Sequence, residues 1–297
     1  MRKVNLWLSI ASIVTLAGFV FFFMFGLKPG IDFTGGSLLE IAYGDGGRPA
    51  AQEIQHTVEA LSIGSVNIQL VEPQGAQLRF KEVSEEQHQE ILNALSSSTS
   101  AVRVDELRFD TIGPSIGREL KERAIYAVMI SLLVIVGYVA WAFRKVSKPV
   151  ASWKYGVVSI VALLHDIMVV VGVFALLGYY VGVEIDSTFI AALLTVLGYS
   201  VNDTIVVLDR VRENLPRSNE DFLGTVDTSI SQTIARSINT TLTTVLALLA
   251  LLFFGGETIH YFILALTIGI ASGAYSSIFI AAPLLILWER WGRRRAT

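Results

Sequence analysis

The chain has no cysteine, which excludes a disulfide framework, a thiolate nucleophile and a cysteine-ligated metal, and leaves the redox compartment unmarked. Charge is sparse as well: 16% of the 297 residues are charged against 53% hydrophobic, and the mean hydropathy is +0.57. Soluble domains carry about 25% charged residues, so this composition excludes an ordinary soluble globular class. Neither an HExxH helix nor a Walker A glycine loop occurs, and no GxSxG nucleophile elbow is expected. Zinc-protease chemistry and ATP hydrolysis therefore lack their parts. No metal or organic cofactor is expected, and the chain reads as a non-enzyme.

What the chain has in abundance is long apolar runs. A hydrocarbon core about 30 Å thick takes roughly 20 helical residues to cross. Six stretches qualify: Leu6–Leu27, Ala124–Phe143, Tyr155–Tyr180, Thr188–Leu208, Ile238–Phe254 and Tyr261–Trp288. The first outlasts the apolar core of a signal peptide, and no small-x-small cleavage site precedes Pro29, so it reads as a retained anchor.

Basic residues set the expected orientation. Of 23 Lys and Arg, nine lie in 28–123 and Arg236 opens the fifth run. The remaining 13 are Arg2, Lys3, Arg144, Lys145, Lys148, Lys154, Arg210, Arg212, Arg217, Arg290, Arg293, Arg294 and Arg295. With alternating helices and both termini cytoplasmic, all 13 fall on the cytoplasmic side, as the positive-inside rule requires. The 28–122 segment then faces outward. The nine positive and 15 negative residues of 28–123, a net charge of −6, argue against a nucleic-acid surface.

Within that outer segment the patterns predict strand 36–43, helix 49–61, a hairpin of strands 66–72 and 76–82 turning at Pro73-Gln74-Gly75, helix 85–95 and strand 102–109. The order βαββαβ is that of ferredoxin-like α+β domains. The expected organisation is thus helix 1 within 1–27, a periplasmic α+β domain at 28–122, and helices 2–6 in 123–297. Gly269, Gly273 and Ser277 carry a small-xxx-small spacing suited to close helix contact.

Ionisable groups inside the apolar helices point to function, because each costs about 2.5–3.5 kcal/mol at a helix centre unless paired or hydrated. They are His165, Asp166, Asp203 with its neighbour Asn202, and Arg236. Counting rises from Arg210 and Thr228 puts Asp203 roughly 10 Å and Arg236 roughly 12 Å deep, at one level on neighbouring helices. Arg236, Asn239, Thr240, Thr243 and Thr244 form one polar stripe, while Thr195, Tyr199 and Ser200 share the face of Asp203. A carboxylate can carry a proton; the guanidinium stays charged. Burial and a nearby guanidinium act on a carboxylate in opposite senses, so movement of Arg236 would switch the proton affinity of Asp203. The bland alternative is an ion pair gluing two helices, with threonines bonding back to their own carbonyls. For His165-Asp166 a second relay station and a satisfied interhelical hydrogen bond both remain open.

Longer motifs carry a family resemblance. Gly30-Ile31-Asp32-Phe33-Thr34-Gly35-Gly36, Leu164-His165-Asp166, Gly198 through Val207 with Asp209 to Asn214, Arg236-Ser237 with Thr240, Thr241, Thr243 and Thr244, and Gly273 to Ser277 resemble the SecD/SecF family on its SecF side. The resemblance implies six transmembrane helices forming half of an RND-type transporter, in the bacterial cytoplasmic membrane. The implied partners are SecD, the SecYEG channel, YidC and YajC, with preproteins as substrate, the lipid bilayer as medium and no nucleic acid. It implies use of the proton motive force, with H+ as coupling ion and Na+ as the alternative. Of the family's proton-moving residues, Asp203 and Arg236 match; His165, Asp166, Asn202, Thr240 and Thr243 are the secondary candidates. A further Asp belongs to SecD and is not in this chain. Two other readings are a non-conducting scaffold of the translocon and an RND-type half exporting lipids or small molecules.

Overall fold

The computed structural model describes residues 4–44, 47–71, 74–98, 103–144 and 150–294. Arg2, Lys3, Lys145, Lys148 and Arg295 of the charge argument, Pro73 of the hairpin turn and Val102 of the last strand lie outside the described residues. Contacts divide the chain into a helical unit, Met1–Lys28 with Tyr126–Thr297, and an outer unit, Pro29–Ile125.

Among the described residues six helices are long and apolar enough to span a bilayer; four contain their expected runs, and the first two end at Phe25 and Ala142, just short of the ends of theirs at Leu27 and Phe143. They are α1 (Val4–Phe25), α5 (Pro114–Ala142), α6 (Ser152–Tyr180), α7 (Ser187–Asn214), α8 (Phe222–Phe254), and α9 (Glu257–Ser276) continued through a π-helical turn (Ser277–Ala281) into α10 (Ala282–Arg294). The chain is a multi-pass membrane protein. Two starts differ from expectation. The fifth span opens at Phe222, ahead of the apolar run at Ile238 and of the helical extension expected from about Thr228, because Asp221 caps it by accepting from Gly224 N at 2.8 Å and its polar first turns bury Thr225, Val226 and Ser229. A hydropathy window detects only the lipid-crossing part of such a helix. The second span opens at Pro114, ahead of Ala124, since proline suits the first helical position.

Interlocking small residues set the helix order. Added Cβ atoms at Gly269 and Gly273 would meet Val196 Cγ2 at 2.3 Å and Ser200 Cβ at 3.0 Å, and Thr204 Oγ1 lies 3.1 Å from Ser277 Oγ. Both helices advance in steps of four in the same sense, so α7 and α9 run parallel, joined by the small-residue stripe at 269, 273 and 277. Gly18 and Gly172 join α1 to α6 in the same way, and the Phe25 and Tyr179 rings meet further along at 4.4 Å. α6, α7 and the last span form the buried centre, around Leu163, Leu197, Leu208 and Leu285. By contrast α5 exposes Ile125, Met129, Ile130 and Leu133, and α8 exposes Leu246, Phe253 and Phe254. Apolar surface on this scale requires lipid or another subunit.

In the outer unit, a single turn α2 (Ile31–Thr34) leads to β1 (Gly36–Tyr43), α3 (Ala51–Glu59), β2 (Asn67–Val71), β3 (Gly75–Phe80), α4 (Glu85–Ser98) and β4 (Val104–Ile112). The sheet order β2-β3-β1-β4, antiparallel throughout, is the ferredoxin-like arrangement read from the strand pattern. Leu39, Ile41, Ile54, Leu78, Ile91 and Leu95 fill its core. The Gly35-Gly36 pair does more than permit a turn. Their φ angles are +74° and +122°, and a Cβ at Gly36 would lie 2.7 Å from Phe80 O. Gly36→Ala is therefore expected to cost the outer unit about 1–3 kcal/mol. Faster hydrogen exchange at β1 and β3 would register that cost, and parent-like protection would refute it.

Candidate functional site

Hydrogen bonds between α7 and α8 fix their register. Tyr199 meets Thr244 at 3.3 Å, Thr241 Oγ1 donates to Asp203 Oδ2 at 3.3 Å, Arg210 Nε donates to Gln232 Oε1 at 2.6 Å, and Asn214 Nδ2 donates to Ser229 Oγ at 2.9 Å. The pairs fall in antiparallel order, as consecutive spans must. On this register Arg236 stands opposite Val207, about one helical turn or ~6 Å from the level of Asp203 and nearer the α7–α8 connection. The two residues do not share a level as the counts from Arg210 and Thr228 predicted. The reason is the reference point: Gln232, rather than Thr228, is the α8 residue level with Arg210.

Asp203 is 3% exposed, with Thr241 as its hydrogen-bond donor. Arg236 is exposed, and among the described residues no ion pair joins it to Asp203. Asn202, one residue from Asp203 and so about 100° around the helix, is exposed as well. Along α8 the stripe residues Asn239, Thr240 and Thr243 all face outward. Thr240 donates to Arg236 O at 3.0 Å, Thr243 to Asn239 O at 2.9 Å and Thr244 to Thr240 O at 3.0 Å. Thus the polar stripe is a surface of this chain, and the residue that reaches the buried carboxylate is its inward neighbour Thr241. Sequence periodicity missed Thr241 because it lies off the stripe; only the antiparallel register selects it.

A second polar centre gathers three helices. Asp166, 0% exposed on α6, accepts from Ser200 Oγ of α7 at 2.5 Å and from Ser272 and Ser276 Oγ of α9 at 2.6 and 2.7 Å. His165 Nδ1 lies 3.0 Å from its Oδ1. His165 is also buried; its Nε2 and the hydroxyl of Tyr275, whose ring is 5.8 Å away, have no hydrogen-bond partner among the described residues. Ser272 was not singled out in sequence, and Ser276 only as part of the Gly273 to Ser277 motif, since hydroxyls barely alter hydropathy. Their i, i+4 spacing was the available signal.

The expectation that no GxSxG elbow occurs needs correction, because one hydrolase-like spacing is present. Gly113-Pro114-Ser115-Ile116-Gly117 spells GxSxG at the strand-to-helix junction of β4 and α5. Ser115 is exposed, and among the described residues no histidine or carboxylate bonds to it. Gly117 has a packing reason instead, because a Cβ there would lie 2.8 Å from Gly35 N. A nucleophile elbow without its base has no catalytic partner.

Comparison with known proteins places these features. The family described as "Protein export membrane protein SecD/SecF, C-terminal" matches residues 91–291, and "SecD/SecF GG Motif" matches residues 20–45. Proteins named protein translocase subunit SecF are similar throughout. That of Thermobaculum terrenum is 43% identical over 93% of this chain and 89% of its own length. That of Anaerolinea thermophila is 38% identical over 99% and 96%. Among solved structures, SecDF from Thermus thermophilus, described as a translocon-associated membrane protein, is 32% identical with a TM-score of 0.84 over 98% of this chain. SecDF in a super-membrane-facing form matches with a TM-score of 0.65 and 33% identity. The chain spans 38% of the length of each of these two solved chains.

Proposed function

The chain belongs to the SecD/SecF family of protein export membrane proteins, and from that membership we propose that it is a proton-coupled subunit that helps draw preproteins across the bacterial cytoplasmic membrane. Asp203 carries the proposal. It is a sealed carboxylate in a membrane helix, held by one neutral hydroxyl, and so able to take and release a proton without breaking an ion pair.

The other half of the path comes from a partner. A polar face of Arg236, Asn239, Thr240 and Thr243 on a helix that otherwise exposes Leu242, Leu246 and Phe253 is unsuited to lipid. SecD covers that face and supplies the missing carboxylate, and the SecYEG channel, with YidC and YajC, stands beside the pair. Both termini are cytoplasmic and residues 28–122 periplasmic. H+ is the coupling ion, with Na+ the alternative. Proton transfer at Asp203 alternates the packing of the spans, and the outer unit follows the motion while engaging the emerging preprotein.

The scaffold reading has one observation in its favour: Thr240, Thr243 and Thr244 bond back to their own helix. Preprotein transport into inverted vesicles containing the whole complex, with the proton gradient intact or collapsed by an ionophore, separates the two. Arg236→Leu should assemble with SecD yet lose gradient stimulation by about tenfold or more, the scale of one interaction of 1.4 kcal/mol. Full stimulation in that variant would favour the scaffold.

A further inference from the structure

Asp166 has no part in the proton step just described, although it is fully enclosed. Its two oxygens receive Ser200, Ser272, Ser276 and the His165 ring nitrogen. Four contacts occupy about all the lone-pair sites a carboxylate offers. Such an arrangement has no place left for a passing proton or water, and suits an anchor better than a carrier.

The anchor acts on the helix that bears Asp203. Ser200 is three residues before Asp203 and Thr204 one residue after it. Ser200 is bound to Asp166, and Thr204 to Ser277 at 3.1 Å. At about 100° per residue Ser200 and Thr204 lie roughly 40° apart on one face of α7, and Asp203 lies roughly 60° from Ser200, turned toward α8. Fixing the first face therefore fixes the second. There is little slack in the contact: a Cβ on Gly273 would lie 3.0 Å from Ser200 Cβ, so that even one added carbon would have to push Ser200 aside. Ser276 and Ser277 also sit at the entry to the π turn Ser277–Ala281, a wide turn of the kind found at functional sites.

We infer that Asp166 is a positioning residue: by clasping Ser200, Ser272 and Ser276 it sets the rotation of α7 and holds Asp203 against Thr241 of α8. The inference rests on Asp203 being the proton carrier. The ionisable groups around the clasp are His165 on α6, Tyr275 on α9 and Asp203 on α7; among the described residues no Lys or Arg bonds to Asp166.

The test uses the complete complex in inverted vesicles and two variants, Asp166→Asn and the pair Ser272→Ala with Ser276→Ala. The readout is the pH at which gradient-driven transport is half-maximal, measured beside abundance and co-purification of SecD. Loosening the clasp changes what surrounds Asp203, so the midpoint should move by about one pH unit, the ordinary spread of carboxylates among protein environments. Abundance should be retained in at least one variant. An unmoved midpoint overturns the inference, and so does failure of both variants to accumulate, which would mark a purely structural clasp. Asp203→Asn is run alongside. If it retains stimulation, the proton reading itself fails and takes the inference with it; if it is inactive while the clasp variants keep the parent midpoint, only the positioning role fails.

Discussion

Asp203→Asn should reduce gradient-driven preprotein transport to the level of the ionophore-treated parent, with SecD still bound and the protein at normal abundance. The substitution is nearly isosteric. The amide oxygen can still accept from Thr241 Oγ1, now 3.3 Å from Oδ2, so helix contacts are kept while the proton-carrying group is lost. Magnitude limits the size of the effect. One charge crossing 100 mV releases about 2.3 kcal/mol, which at 1.4 kcal/mol per factor of ten biases a single step by roughly 50-fold. Repeated over many steps, that bias rectifies the motion of an emerging chain. It is far too small for one proton to pull a whole preprotein through. The variant should thus leave gradient-independent transport intact and remove only the stimulated part. Stimulation equal to the parent's would move the proton path away from this residue.

The location of Asp203 was legible in sequence because an acid inside an apolar run stands out against a large insertion cost. The six spans and the βαββαβ order were legible for similar reasons, the first from length and the second from alternation. Partnerships between helices were not. Hydropathy fixes depth only relative to an assumed boundary, so starting from Thr228 brought Arg236 one turn too close to the level of Asp203. The Arg210–Gln232 and Asn214–Ser229 hydrogen bonds give the true offset. Asp166 illustrates the same limit. Its charge was visible, but its donors come from residues 34, 106 and 110 positions away in the chain, and no local pattern links them. Of the His165-Asp166 pair, Asp166 is the residue that accepts the interhelical bonds, from Ser200, Ser272 and Ser276.

Gly172→Val should strongly damage the fold of the helical unit. A Cβ on Gly172 would lie 2.6 Å from Gly18 Cα and 3.2 Å from Gly18 O, and one on Gly18 would lie 2.3 Å from Met168 O. These neighbours are backbone, so no rotamer change relieves the clash, and α1 must move away from α6. In a bilayer the loss is acute, because helices associate there through close packing instead of a hydrophobic drive. Overpacking ordinarily costs about 1–3 kcal/mol, and a backbone-to-backbone clash belongs at or above the top of that range. The Trp7–Phe279 contact at 4.2 Å ties α1 to the π turn beside Ser276 and Ser277, so displacing α1 should disturb the Asp166 clasp as well as its own packing. Thermal unfolding in detergent should show a large drop for Gly172→Val and little change for Gly137→Val, an exposed position where an added Cβ meets no neighbouring element within 4 Å. Equal stability of the two variants would mean that α1 and α6 are not held by this glycine contact.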